Sequence, residues 1–469
     1  MSSVVVVGGG ISGLAAAHAL ATGPNPPRIT VIEGSPRLGG KLAGDMLEGV
    51  PVDLGAESVL ARRPEAVDLI KAVGLGDDLV HPATTSAGLW IGDRIRAIPP
   101  TVMGVPVDPA ATVDVLGDAA AAEVAHEAEL SAPALSEDVA IGRFVAERMG
   151  TAVTDKLIDP LLGGVYAGRA EEISLAAAVP ELYAKLRTAP SLLAATAELR
   201  EAGQRRAGQP VFAGIVGGVN RLISGLEKDL LARGVEIRRQ LAVRRITRTA
   251  DGYALEAGPV PAPTLLTADA VIVAVPATPA ARMLGDLVPA AASELAAIEY
   301  ASMAIVTLAV RKQDWPEGAT GSGFLVPSVE GRTIKASTYS HAKWQWSSDA
   351  GGELAVLRAS VGRLGEEYVL QRSDEELVTL ATADLRLAVG LHAPVVGSLV
   401  TRWGGGLPQY AVGHLDRVDR VEAAVAGEPG LAVCGAAYRG VGIAACVASG
   451  GKAATRVQAY LDSLETMAP

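Results

Sequence analysis

Gly8, Gly10 and Gly13, with Gly9 between the first two, follow a run of four valines and precede an Ala/Leu-rich stretch. In this spacing a strand turns tightly into a helix, the backbone can approach a pyrophosphate, and the helix packs close on the strand. A helix starting at Ile11 and Ser12 would offer unpaired N–H groups and a positive dipole end to that anion. Glu33 stands twenty residues after Gly13, where a carboxylate can take ribose hydroxyls. An acid there argues against a 2′-phosphate, so the pattern points to FAD or NAD and away from NADP. A glycine turn that serves packing alone is the alternative.

A second glycine-rich segment runs from Glu33 and Gly34 through Arg37, Gly39 and Gly40 to Lys41, and a third holds Gly55, Ala56, Glu57 and Ser58. Backbone contact over that length suits a long cofactor and favours FAD; an ordinary turn is the alternative. Near the C-terminus, Tyr438 to Ile443 precede a helix. Its dipole could face the pyrimidine side of a flavin, where reduction places negative charge. Trp403 reads equally as core packing or as a ring against the cofactor. The six histidines (His18, His81, His126, His341, His392, His414) never fall at metal-ligand spacing, and Cys434 and Cys446 make no CxxC, so no protein-bound metal is expected.

These residues need elements to place them. Val4 to Val7 reads as a buried parallel strand, Ile11 to Ala21 as a helix ended by Gly23 and Pro24, and Arg28 to Glu33 as a second strand, together a βαβ unit. Pro99 to Leu199 has helical texture. Val211 to Gly218 leads into an amphipathic helix over Arg221 to Arg233, and Val235 to Ile246 alternates like one strand. Further strands are expected at Ala270 to Val275, Ala304 to Arg311, Thr333 to Tyr339, Leu354 to Val361 and Leu431 to Gly435, and a last helix from Ile443 to Tyr460. Both ends read as nucleotide-binding α/β material and the middle does not, which suggests a discontinuous cofactor domain.

Composition sets the outer limits. Of 469 residues 49% are apolar and 20% charged, which excludes disorder as the main state. The net charge of −11 is the wrong sign for a nucleic-acid binder or an anionic-membrane protein. Met1 leads into an apolar run with no basic residue before Arg28, unlike a signal peptide, and the apolar stretch Tyr300 to Val310 falls short of the ~18 residues of a spanning helix. A cytoplasmic protein without integral membrane contact is expected.

In order along the whole chain, Gly8 to Leu14, Glu33 to Lys41, Gly55 to Ser58, Gly163 to Gly168, Thr401 to Trp403, Gln409 to His414 and Gly440 to Ile443 resemble the FAD-dependent protoporphyrinogen/coproporphyrinogen oxidases. Met103 to Pro106 and Ile334 to Trp344 resemble the Gram-positive coproporphyrinogen III oxidase branch. The resemblance implies a Rossmann-like FAD domain in three pieces (1–80, 209–290, 397–469). It also implies a mixed-sheet substrate domain (81–98, 175–208, 291–396) and an inserted helical domain (99–174). It carries contacts to one non-covalent FAD onto Gly8, Gly9, Gly10, Ile11, Ser12, Gly13, Glu33, Gly34, Lys41, Gly55, Ala56, Glu57, Ser58, Val243, Trp403, Val441, Gly442 and Ile443.

The implied reaction takes six electrons from coproporphyrinogen III to give coproporphyrin III in haem biosynthesis. It runs in three flavin cycles, each reoxidised by oxygen with release of peroxide. The flavin carries the chemistry, so no catalytic side chain is assigned. His341 and His414 read as structural hydrogen-bonding residues. Gly163 and Gly164 open a loop through which backbone could lie against a planar macrocycle; a helix-terminating turn is the alternative. Some relatives hold a propionate with an arginine where this chain has Ala87. Arg62, Arg63, Arg96 and Lys335 are therefore the candidate carboxylate partners, each with a solvated surface charge as the alternative. Protoporphyrinogen oxidation, a flavin amine oxidase or desaturase, and a non-enzymatic binding protein on the same fold are the other readings. Amine oxidases usually carry an acidic residue where this chain has Gly435 to Ala437. Transient docking to a downstream ferrochelatase is a further expectation.

Overall fold

The computed structural model describes residues 2–204, 208 and 210–467. Strand β1 (Ser3–Val7) sits at the centre of a five-stranded, all-parallel sheet. Its order is Glu236–Arg238, β2 (Arg28–Ile32), β1, Ala270–Val273 and Leu431–Val433. A parallel strand is covered on both faces, and its side chains alternate between them. Val4 and Val6 enter one apolar core with Leu14 of helix α1 (Ile11–Ala21) and Val457 of the last helix, Ile443–Met467. Val5 and Val7 enter a second core with Leu255, Leu284 and Val421.

The segment read as one strand from Val235 to Ile246 is two. Glu236–Arg238 belongs to the parallel sheet, whereas Val243–Thr249 starts an antiparallel meander with Gly252–Ala257 and Thr264–Ala268. Gln240 breaks the run with a left-handed backbone (φ 57°). The Gln240 and Leu241 N–H groups bond the Ser35 and Glu33 carbonyls instead. Apolar alternation survived the turn; strand pairing did not.

A seven-stranded sheet forms the second layer, in the order Gly397–Pro408, Tyr300–Arg311, Leu354–Val361, Ile334–Thr338, Gly323–Leu325, Ala87–Ile91 and Arg94–Ala97. It is antiparallel except where Gly323–Leu325 meets Ala87–Ile91. Helix Asp374–Val389, started by a capping box of Ser373 and Glu376, covers one face with Leu377 and Leu385. Leu89, Ile91 and Leu325 turn to the other face and join the core of a helical layer.

That helical core also contains Leu175, Leu182, Leu186 and Leu192, so the packing does not divide at 174. Buried Glu127 is one reason. Its carboxylate accepts the N–H groups of Leu192 and Leu193 (2.8 and 3.0 Å) and pairs with Arg148 at 2.6 Å, tying the start of helix Leu192–Gln204 to the earlier helices. Likewise Gly397–Pro408, in a segment expected to belong with the cofactor layer, is hydrogen-bonded into the large sheet beside Tyr300–Arg311. Among the described residues no helix is long and apolar enough to cross a membrane, and no group of three or more His, Cys, Asp or Glu could hold a metal ion.

Candidate active site

The glycines after β1 have separate duties. A Cβ on Gly8 (φ 110°) would lie 2.6 Å from the Ala274 carbonyl oxygen, and one on Gly13 2.0 Å from the Gly8 carbonyl oxygen. Those two let strand and helix touch. Gly10 is different: its backbone is extended (φ −73°, ψ 173°), and a Cβ there would meet nothing within 4 Å. No side chain caps α1, whose first helical bond is Leu14 N–H to the Gly10 carbonyl at 2.9 Å. The N–H groups of Ile11, Ser12 and Gly13 therefore point out of the helix end beside the open face of Gly10.

Glu33 follows β2, and its carboxylate accepts the Gly9 N–H (2.9 Å) and the Ser35 N–H (2.7 Å). A carboxylate has about four acceptor sites, so hydroxyls can still be taken. Leu241 N–H reaches the Glu33 carbonyl at 3.0 Å, and a Cβ on Gly34 would stand 3.3 Å from that of Ala242. The turn at Gln240 thus brings Val243, buried in the second core, next to the Glu33–Gly34 segment.

At the other end, Gly39 N–H donates to the Gly9 carbonyl (2.8 Å), and the Lys41 carbonyl comes so close to Gly55 that a Cβ there would sit 1.9 Å away. The Cys446 thiol, which donates to the Gly440 and Val441 carbonyls (3.9 and 3.8 Å), is near enough to Lys41 to act on its charge. Burial pushes the ammonium below its usual range, with Cys446 opposing. Among the described residues Lys41 has no ion-pair partner. Val441, Gly442 and Ile443 start the last helix one turn before Cys446, and a Cβ on Gly442 would again meet nothing within 4 Å. Gly450 of that helix packs on α1, where a Cβ would be 2.3 Å from the Ser12 carbonyl oxygen. An unpaired cation, open N–H groups and side-chain-free glycines at two helix starts make a site for a large anion. The dinucleotide of a flavin has that chemistry, and these residues fit it.

Glu57 takes a different part. Its buried carboxylate pairs with Lys343 (2.5 Å) and Arg358 (2.8 Å), and Arg358 also donates to the Gly55 carbonyl. Burial would raise the carboxyl pKa, but the two cations outweigh it and hold it at about 2. The Gly55 to Ser58 segment is thus anchored to the large sheet by its own acid, with Ala56 packed on the core under α1 and Ser58 half-buried. Lys343 and Arg358 left no sequence signal, since their partners are about three hundred residues away. Trp403 donates its indole N–H to the Leu54 carbonyl (2.9 Å) under the Arg37 guanidinium, 5.5 Å from the ring centre. It therefore lies against the same backbone segment.

Tyr410 and His414 brace the C-terminal loop. The Tyr410 hydroxyl donates to the Ala436 carbonyl and accepts the Gly440 N–H, both at 2.7 Å. His414 stacks on that ring at 3.9 Å and bonds the Tyr438 carbonyl through Nε2 at 2.8 Å. Burial brings the imidazole pKa down to about 4, so it is neutral and must carry its proton on Nε2 to donate. His341 Nδ1 likewise faces the Val356 carbonyl (3.1 Å), and burial lowers its pKa. Both histidines are committed to backbone.

Gly163 and Gly164 are not in a loop. They lie in helix Asp159–Tyr166, which ends at Ala167 in the left-handed region (φ 51°). The helix brings Gly164 against Leu325, 3.6 Å from where a Cβ would stand. Of the four basic candidates, Arg62 is exposed beside strand Val59–Leu60, and Arg63 pairs with Glu65 at 2.8 Å. Arg96, on the edge strand, bonds Asp114 at 2.8 Å. Lys335 is buried three strands further into the same sheet. The structure does not gather them on one element.

A profile of the family described as flavin containing amine oxidoreductase matches residues 11–458. The chain is 37% identical over 473 residues to a Mycobacterium tuberculosis protein named coproporphyrinogen III oxidase, covering 98% of each. It superposes with a TM-score of 0.85 and 33% identity on the crystal structure of an Exiguobacterium protein described as a candidate protoporphyrinogen oxidase, covering 98% of this chain and 99% of that one. Cyclohexylamine oxidase from Brevibacterium oxydans shares the fold (TM-score 0.70, 99% of each chain) at 17% identity. With the glycine-lined anion site at the head of α1, these matches make the chain a member of the flavin-containing amine oxidoreductase family.

Proposed function

We propose that this oxidoreductase holds one non-covalent FAD and oxidises coproporphyrinogen III to coproporphyrin III, with oxygen as acceptor and peroxide as product. The observation that carries the reading is the full-length likeness to the mycobacterial coproporphyrinogen III oxidase. It joins an anion-receiving cleft built by Gly8 to Gly13, Lys41 and Val441 to Ile443. Likeness to an amine oxidase at 17% identity extends to fold alone.

When bound, FAD supplies a two-electron acceptor, so three turns account for six electrons. The chain's own residues do the placing. The N–H groups of Ile11 to Gly13 and the Lys41 ammonium hold the pyrophosphate, Glu33 takes the ribose, and Val243 meets the adenine end through its backbone. Gly55, Ala56 and Ser58, with Trp403, line the cleft wall that Glu57 anchors. With His341 and His414 both held by carbonyls, the pyrrole protons leave to water.

The division into modules remains part of this proposal. It is supported by the parallel sheet, whose five strands come from all three segments assigned to FAD. We place the protein in the cytoplasm.

Anaerobic loading followed by admission of oxygen, with coproporphyrinogen III and protoporphyrinogen IX side by side and porphyrin fluorescence as readout, tests the reading. A higher kcat/KM for coproporphyrinogen, with three peroxides per porphyrin, is expected. A higher value for protoporphyrinogen would move the chain to the other substrate; no turnover of either would end the porphyrinogen reading.

A further inference from the structure

Lys335 sits at an irregularity in its strand. Ile334 pairs with Val361 and Ala336 with Ser360, so Lys335 is the extra residue of a bulge, a device that re-aims a side chain. Its carbonyl is used by the Val326 N–H at 2.9 Å, but its ammonium is not used at all. The residue is 5% exposed, and Nζ has no hydrogen-bond partner among the described residues. Burial brings this ammonium down to about 7; Arg363 acts in the same direction and Glu366 against it. A methionine would fill the same volume with no desolvation cost. A buried lysine with three idle donors marks a missing acceptor.

The surroundings say what kind. Arg363 donates to the Val326 carbonyl (3.1 Å) and meets Glu366 only at 3.4 Å. The Arg169 guanidinium lies against Gly365, 2.7 Å from where a Cβ would be. From the helix packed on this strand, Asp159 faces Arg363, and its carboxylate is 3.4 Å from the Ser328 N–H. Glu171 also acts on Asp159, so three cations meet three acids, yet the Lys335 ammonium bonds none of them. The covering helix carries Gly163 and Gly164, which have no side chains to set against an incoming group.

We propose that Lys335, backed by Arg363, is a carboxylate subsite of the substrate pocket. It takes a propionate that coproporphyrinogen carries where protoporphyrinogen has a vinyl group. The proposal rests on the porphyrinogen reading above and adds what selects between the two substrates. A vinyl would leave the ammonium as idle as it is without substrate, and a site built to bond a polar group rejects an analogue lacking it.

The holoenzyme and its Lys335→Met and Lys335→Arg variants test this. For Lys335→Met, KM for coproporphyrinogen should rise tenfold or more, which is about 1.4 kcal/mol. KM for protoporphyrinogen should move less than threefold, with flavin absorbance and Tm unchanged or Tm raised. Lys335→Arg should restore much of the coproporphyrinogen affinity. A second readout needs no turnover: quenching of protein fluorescence by coproporphyrin III against its tetramethyl ester, where Lys335→Met should erase the preference for the free acid. Equal KM changes for both substrates, an unchanged preference for the free acid, or a fall in Tm without a KM effect would each overturn the subsite while leaving porphyrinogen oxidation standing. Failure of the unmodified protein to bind or oxidise either porphyrinogen would overturn both.

Discussion

Replacing Gly10 by valine should separate cofactor binding from folding. The new Cβ meets no protein atom within 4 Å, and the extended backbone at Gly10 is open to any residue. The apoprotein then loses only the preference for glycine over valine at an N-cap, about 1 kcal/mol, or about 2 °C or less in a chain this long. The dinucleotide loses its approach to the N–H groups of Ile11 to Gly13. Two forfeited charge-assisted hydrogen bonds at about 1.5–3 kcal/mol each weaken FAD by about 10²- to 10⁴-fold. Titrating FAD into stripped protein, read by quenching of flavin fluorescence, gives the Kd, and circular dichroism melting of the same samples gives Tm. Gly13→Val is the contrast: its Cβ would fall 2.0 Å from the Gly8 carbonyl oxygen, so the fold itself should fail. A Gly10→Val protein that melts normally and keeps normal FAD affinity would refute the placement of the site. One that does not fold would refute the claim that the space at Gly10 is reserved for a ligand.

Glu57→Gln leaves Lys343 and Arg358 short of a buried counter-charge and should cost about 3–5 kcal/mol, seen as a lower urea midpoint at pH 7. Because the Glu57 carboxyl sits at about 2 when folded and near 4.5 otherwise, its contribution is complete above pH 4.5 and fades as pH falls toward 2; the variant should flatten that limb. His414 is held at about 4 against an ordinary 6.5, so between those values the unfolded chain binds the extra proton and stability rises with pH. His414→Gln should shrink the difference in urea midpoint between pH 4.5 and 7. Tyr410→Phe strips the Ala436 carbonyl and the Gly440 N–H of their shared partner, about 1–3 kcal/mol. It should loosen FAD, measured as Kd, while leaving the porphyrinogen KM unchanged.

What the sequence by itself determined is local. Four consecutive valines, three spaced glycines and an acid twenty residues on specify a strand, a tight turn, a helix and a second strand, because each choice is made within one or two turns of chain. The observed β1, α1 and β2 follow that reading closely. It could not distinguish Gly10, where a Cβ would meet open space, from Gly8 and Gly13, kept bare for packing; the difference lies in Ala274 and the path of the neighbouring strand. Nor could alternation reveal the left-handed turn at Gln240 that divides Val235 to Ile246 between two sheets, since side-chain polarity does not record φ. Charges were the least legible. Arg63, Arg96 and Lys335 look alike in a sequence, but nearby Glu65 takes the first, Asp114 the second, and burial in a bulge leaves the third without a partner. Glu57 needed Lys343 and Arg358 from a strand and a helix far along the chain. The tertiary structure decided these because the energy of a charge depends on what surrounds it, and only the fold chooses those neighbours.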